Sequence, residues 1–84
     1  MKILMNKKFA SNLVALRGQN RLSQSELIKK MELLGSTLAR STYSKMELGI
    51  GNIKASDLVA LKEIYGVSYD KFFEGVSVIE TENL

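Results

Sequence analysis

A ten-residue stretch in the middle of the chain, Arg40-Ser-Thr-Tyr-Ser-Lys-Met-Glu-Leu-Gly49, combines long cations with short hydroxyl side chains. Arg and Lys can donate to guanine edges or to phosphate, and short Ser or Thr let a backbone approach base edges closely. If the stretch is helical, Tyr43 and Met46 lie on its buried side. The opposite side then carries Arg40, Ser41, Ser44, Lys45 and Leu48. This pattern fits a helix in the major groove of DNA, although an ordinary solvated helix face would also favour Lys and Ser.

Two helices are predicted ahead of this stretch. Asn6 can cap the first, which runs to about Asn20 and buries Phe9, Leu13 and Leu16. Ser23 and Glu26 have the spacing of a capping box at the start of the second. The second helix ends at Gly35, and its inward residues are Leu27, Ile28, Met31 and Leu34.

Three further helices complete the pattern. The third runs from about Ala39 to Leu48, and the loop 50–54 follows it. Ser56 is the expected cap of the fourth helix, and Gly66 is expected to end it. Ser68 is the expected cap of a short fifth helix over 69–74. We therefore expect an all-α fold, a compact five-helix bundle, as a single domain over 1–84. Residues 1–5 and 76–84 are expected to be flexible or dimer-associated ends.

Composition and charge narrow the range of functions. Residues 1–54 hold ten lysines and arginines against three acids (net +7), whereas residues 55–84 hold two against six (net −4). The division fits a polyanionic partner for the first part, although ordinary solvated charge has the same composition. The sequence has no His or Cys, and it shows no nucleophile–base pair and no phosphate loop. We therefore expect the protein not to be an enzyme and not to bind a metal, a cofactor or a small-molecule ligand. No apolar run is long enough for a membrane span, so a cytoplasmic location is expected.

Four segments in order resemble the phage repressor/Cro-type (XRE-like) helix-turn-helix family. They are Leu13–Arg17 (L-x-x-L-R), Leu22-Ser-Gln-x-Glu-Leu27, the Arg40–Gly49 stretch, and Gly66-Val-Ser-Tyr-Asp-Lys-Phe-Phe73. Together they cover most of residues 13–73. The resemblance implies a lambda-repressor-like helix-turn-helix fold and a sequence-specific transcriptional regulator, expected to be a repressor, that inserts its third helix into the major groove of double-stranded DNA.

The resemblance also implies roles for particular residues. Base contacts would come from Arg40, Ser41 and Thr42, with Lys45 one turn further on. Ser44, on the same outward side of the helix, is a further base-contact candidate from the helical pattern. Phosphate contacts would come from Gln24, Asn52 and Lys54. Arg17 and Glu47 match a pair that ties the first helix to the end of the third, so their implied role is structural.

The sequence departs from the family in one region. Gln24 and Glu47 are separated by 22 residues, which is more than the family's usual spacing, and the extra residues lie around 31–38. Either the second helix gains a turn or the following turn is long. Ala39 also occupies the place of the usual Ser or Thr cap, so Ser36 or Thr37 is expected to cap the third helix from further back.

Two questions about partners stay open in the sequence. Phe72 or Phe73, with Val76 and Val78, could form a dimer patch, although aromatic residues at helical spacing more often belong to a core. A homodimer is expected, because one short domain contacts few base pairs. The alternative function is a helix-turn-helix protein-interaction module, of antitoxin or anti-repressor type, with little DNA binding of its own.

Overall fold

The computed structural model describes residues 2–78, and of Lys2 it describes only the backbone. This part of the chain forms five helices and two short strands. They are β1 (Lys2–Leu4), α1 (Lys7–Gln19), α2 (Gln24–Leu33), α3 (Arg40–Glu47), β2 (Asn52–Lys54), α4 (Ala55–Tyr65) and α5 (Asp70–Phe73). The five expected helices are present, but the all-α assignment is wrong in detail because the strands pair.

The first two helices begin at the capping residues that the sequence predicted. The side chain of Asn6 accepts from the backbone N–H of Lys8 at 2.8 Å and of Phe9 at 3.0 Å. At α2, the Ser23 hydroxyl accepts from the Glu26 N–H at 3.0 Å, and the Glu26 carboxylate accepts from the Ser23 N–H at 2.8 Å. Each cap satisfies N–H groups that have no partner inside the helix. These two starts are therefore encoded locally.

The connection between α2 and α3 is a long turn and not an extra turn of helix. Residues 34–39 lie between the two helices, and Gly35 has a φ of 98°, as expected for a helix stop. Leu34, predicted to face inward, follows the last turn of α2 and is 51% exposed, so that prediction is wrong. The Ser36 hydroxyl accepts from the Leu38 N–H and donates to Asp57, which ties the turn to α4. The expected cap from Ser36 or Thr37 is absent, and Ala39 begins α3 without a side-chain hydrogen bond.

A two-stranded antiparallel ribbon joins the two ends of the basic part of the chain. Lys2 pairs with Lys54, Ile3 with Ile53 and Leu4 with Asn52, and the Met5 N–H donates to the Gly51 carbonyl at 2.8 Å. The sequence predicted a loop over 50–54 and a flexible or dimer-associated end over 1–5. The ribbon forms because Ile53 is 1% exposed and Ile3 packs against the core, so both strands bury one apolar residue. Any additional role of this end in a dimer stays a prediction.

The last two helices do not use the predicted capping serines. α4 begins at Ala55, directly after β2, so Ser56 lies inside the helix, and Lys54 provides no side-chain cap. Gly66 closes α4 in the left-handed region, with a φ of 63°, as predicted. α5 begins at Asp70 without a side-chain cap bond, which makes the Ser68 prediction wrong as well. Instead, the buried amide of Asn12 on α1 donates to the carbonyls of Phe72 and Glu74 and holds α5 in place.

One core connects these elements. Its fully buried members come from all five helices and from β2, and the largest are Tyr43, Phe72, Leu13, Leu27, Met31, Met46, Ile53 and Leu61. Phe72 packs against the rings of Phe9 and Tyr65, and Phe73 makes an edge contact with Phe9 at 5.1 Å between centroids. α3 is therefore fixed by packing against the core, and its outer side remains exposed.

Candidate nucleic-acid interface

α3 exposes the cations and hydroxyls that the sequence assigned to its outer side. Tyr43 and Met46 are 0% and 1% exposed and fix the helix to the core. Arg40, Ser41, Thr42 and Lys45 are exposed, and Ser44 is half-buried. The structure therefore brings the five base-contact candidates together on one short helix, with Ser44 the least accessible of them.

A single carboxylate joins α1, α2 and α3 below this surface. Glu47 accepts from the Arg17 Nε at 2.7 Å and from the Arg17 Nη2 at 2.9 Å, which is bidentate geometry. The Arg17 Nη1 also donates to the Leu22 carbonyl at 2.9 Å, in the segment between α1 and α2. We call this cluster the Arg17–Glu47 junction. It fixes the end of α3 relative to the two helices before it.

The electrostatics of the junction favour both charged forms. The Glu47 side chain is 7% exposed and that of Arg17 is 20% exposed. Burial opposes ionisation of Glu47, but hydrogen bonds from Arg17 and Gln24 outweigh it and hold the pKa of the carboxyl below its ordinary value. The hydrogen bond to Glu47 likewise raises the pKa of Arg17. The pair is therefore ionised at neutral pH.

Gln24 belongs to the junction as well as to the set of candidate phosphate contacts. It is the first residue of α2, is half-buried, and its Nε2 donates to the Glu47 Oε1 at 3.0 Å. A side-chain amide has two N–H groups, so Gln24 can keep this bond and offer its second hydrogen outward. Its contact with a phosphate stays a prediction.

Asn52 and Lys54 lie on the outer face of β2. Both are exposed, on either side of the buried Ile53, so the strand turns both side chains away from the core. They line one groove together with Thr42 of α3, the turn residues Thr37, Leu38 and Ala39, and the buried Asp57 of α4. The two candidate phosphate contacts therefore lie beside the amino-terminal half of α3, on a paired strand.

One basic residue near α3 was not among the sequence candidates. Lys7 begins α1, and its side-chain stem lies against Gly49, the residue two positions after α3, where an added Cβ would lie 3.2 Å from its Cγ. The sequence held a signal for it. Lys7 and Lys8 occupy a first turn that has no acidic residue, where the helix dipole disfavours cations. These two cations in the first turn were the signal in the sequence for a basic surface at this position.

Other kinds of site are not evident in this part of the chain. Residues 2–78 contain no group of three or more His, Cys, Asp or Glu side chains placed to hold a metal ion. Over the same residues, no helix has the length and apolar character that crossing a bilayer requires.

The fold and the exposed side of α3 define the class of protein. α2 and α3 are joined by a turn, and α3 packs against the core on one side and is exposed on the other. A family model described as helix-turn-helix matches residues 13–72. The chain therefore belongs to the XRE-type, Cro/repressor-like helix-turn-helix family of DNA-binding regulatory domains. No curated protein and no solved structure matches the chain.

Proposed function

We propose that this protein is a sequence-specific regulator of transcription, acting as a repressor, that inserts α3 into the major groove of double-stranded DNA. One observation carries the proposal. Tyr43 and Met46 are buried, so the cations and hydroxyls of α3 form a continuous outer side. A helix of eight residues with short side chains between two cations fits the groove in width and in chemistry.

Sequence choice would depend on the exposed residues of α3. Arg40 and Lys45 supply donors for guanine O6 and N7, and Arg40 can do so in bidentate fashion. Ser41 and Thr42 are short enough to let the helix approach base edges, and the Thr42 methyl can contact a thymine methyl. Ser44 is half-buried and contributes least.

Affinity would depend on the residues around α3. Lys54 and Asn52 can bind phosphates beside the amino-terminal half of α3, and Gln24 can do so beside the first N–H groups of α2. Such contacts release condensed counterions and supply most of the binding free energy without selecting a sequence. The excess of positive charge over residues 1–54 acts in the same direction.

A homodimer on a pseudo-palindromic operator completes the proposal. One domain contacts only a few base pairs, and a twofold pair doubles the length of the site. Repression would follow from occupying DNA that the transcription machinery needs, in the cytoplasm where that DNA is located.

Binding to mixed-sequence duplex DNA across a salt series tests the proposal. Fluorescence anisotropy should show log K falling against log salt by about 0.9 per phosphate contact. The Arg40→Ala/Lys45→Ala variant should bind more weakly, whereas Lys71→Ala, which removes an exposed cation from α5, should bind like the wild type. Operator selection from a random library then gives the sequence. A folded protein that shows no binding at low salt would contradict the proposal.

One observation favours a second candidate, a protein-interaction module of antitoxin or anti-repressor type. Leu48 and Ile50 are 68% and 55% exposed directly after α3, where an apolar protein surface could pack against them. The same titration separates the two candidates, because this one predicts no salt-dependent DNA binding and no effect of the α3 substitutions.

A further inference from the structure

The most exposed pair of adjacent large apolar side chains in the described residues lies at the end of α2. Leu33 is 87% exposed and Leu34 is 51% exposed. They form one wall of a shallow groove whose other wall is Glu63 and Ile64 of α4, and Lys30 lies at its edge. We call it the α2–α4 groove. Two exposed leucines beside Ile64 indicate a surface that becomes covered.

The charges of the α2–α4 groove indicate what covers it. Lys30 is on the α2 side and Glu63 on the α4 side, and within the described part of the chain they form no ion pair with each other. A twofold axis that runs along the groove would place the Lys30 of each copy on the same side as the Glu63 of the other. One cation and one anion flanking apolar side chains are complementary to a second copy placed in this way.

The surface that the sequence offered for a dimer is largely used by the fold itself. Phe72 is 0% exposed, Phe73 packs on Phe9, and Val76 packs against the core. Phe73 remains 41% exposed and Val78 is fully exposed, so these two side chains are what is left of that surface.

We propose that two copies of this chain associate through the α2–α4 groove, with Leu33 and Leu34 of each copy packed into the groove of the other. Leu33 is nine residues along α2 from Gln24, which places it about 14 Å from the candidate phosphate contact. Association there leaves the outer side of α3 open. The proposal rests on the proposed function, which includes a homodimer, and adds the surface through which the two copies pair; the association itself is measured without DNA.

Sedimentation velocity over a concentration series tests the association. The wild type should dimerise, and Leu33→Glu should weaken the dimer at least tenfold, because it places a carboxylate in the apolar centre. Leu4→Glu is the matched control, since Leu4 is 76% exposed on β1, and it should leave the dimer unchanged. Thermal melting checks folding, and the high exposure of both leucines means that neither substitution disturbs the core.

Charge reversal tests the twofold arrangement. Lys30→Glu and Glu63→Lys should each weaken the dimer, because like charges then meet across the axis. The double variant should restore it, because each pair is again of opposite sign. A double variant as weak as the single ones would overturn the proposal.

The sequence contains no cysteine, so disulfide formation between introduced cysteines reports which positions meet in the dimer. Under mild oxidation, an equimolar mixture of the Leu33→Cys and Ile64→Cys variants should form a covalent dimer, because the proposed arrangement brings these two positions together across the interface. A mixture of Leu4→Cys and Ile64→Cys should not. A wild type that is monomeric at every concentration, or a dimer that Val78→Glu abolishes and Leu33→Glu does not, would overturn the proposal.

A half-site duplex separates this outcome from a failure of the proposed function. Leu33→Glu should bind a half-site with the affinity of the wild type, but it should lack the higher affinity of the wild type for a palindrome. Arg40→Ala/Lys45→Ala should lose DNA binding and still dimerise. A dimer that binds no DNA would refute the proposed function and leave the α2–α4 interface intact.

Discussion

Glu47 is the residue whose surroundings set the direction of α3. Its carboxylate accepts two hydrogen bonds from Arg17 and one from Gln24, so three helices meet at one side chain. Replacing a buried ion pair with apolar residues often costs little, but removing one partner leaves the other charge without compensation. The junction is therefore sensitive to single substitutions.

Arg17→Ala should lower the free energy of unfolding by about 2–4 kcal/mol and weaken DNA binding. The cost lies toward the lower end of the range for a broken buried pair, because the Arg17 side chain retains some exposure to water. Urea unfolding and anisotropy measure the two effects. Arg21→Ala, which removes an exposed cation from the next turn, is the control. Unchanged unfolding and unchanged DNA binding in Arg17→Ala would contradict the role of the junction.

The same carboxylate makes stability depend on pH. The pKa of Glu47 is below its ordinary value of 4.5 in the folded chain, so its contribution is complete above that value and is lost as the pH falls through the folded pKa. Glu47→Gln should be less stable at pH 7 and should lose less stability on acidification than the wild type. Glu26→Gln is the comparison variant, because hydrogen bonds from Ser23 also hold the pKa of Glu26 below its ordinary value. Parallel stability curves for wild type and Glu47→Gln would contradict the assignment.

Among the elements, the uncapped start of α3 offers a test by gain of stability. Ala39 has the extended conformation of a cap residue, with φ −82° and ψ 148°, but no side chain to accept from the free N–H groups. Ala39→Ser should raise the free energy of unfolding by about 1 kcal/mol, because its hydroxyl can accept from the Thr42 N–H. Ala15→Ser, at an exposed position within α1, should lower it slightly. Calorimetric melting compares the two, and no gain for Ala39→Ser would mean that the turn before α3 prevents the capping geometry.

The elements that the sequence predicted well are those whose signals lie within a few residues. Asn6 and the Ser23–Glu26 pair are read correctly because the cap and the N–H groups it satisfies are neighbours in the chain. The ribbon was missed because each strand has three residues and its partner lies about fifty residues away, so no local alternation marks it. Ser56 was misassigned for the same reason, since the pairing of β2 carries the chain directly into α4.

At the scale of the whole molecule, the sequence predicted which residues belong to the candidate site better than it predicted how they are arranged in space. Residue types alone placed Arg40 and Lys45 on one side of α3, because the positions of Tyr43 and Met46 fix the helix rotation. The positions of Asn52 and Lys54 beside Thr42 depend on the ribbon, which a list of candidates does not contain. Likewise, the exposure of Leu33 and Leu34 follows from where α2 ends, and hydrophobic periodicity alone predicted an inward Leu34.

The proposed division between sequence choice and affinity predicts two distinct effects on the same operator. Lys54→Ala should weaken binding to the operator and to mixed-sequence DNA by a similar factor, and should reduce the salt slope by about 0.9, because one phosphate contact is lost. Arg40→Ala should cost about 1–3 kcal/mol on the operator and relax the preference at one base pair. Anisotropy on both DNAs across a salt series, with Lys71→Ala as the control, measures each term. If Lys54→Ala changed sequence preference while Arg40→Ala lowered affinity uniformly, then β2 rather than α3 would lie against the base edges.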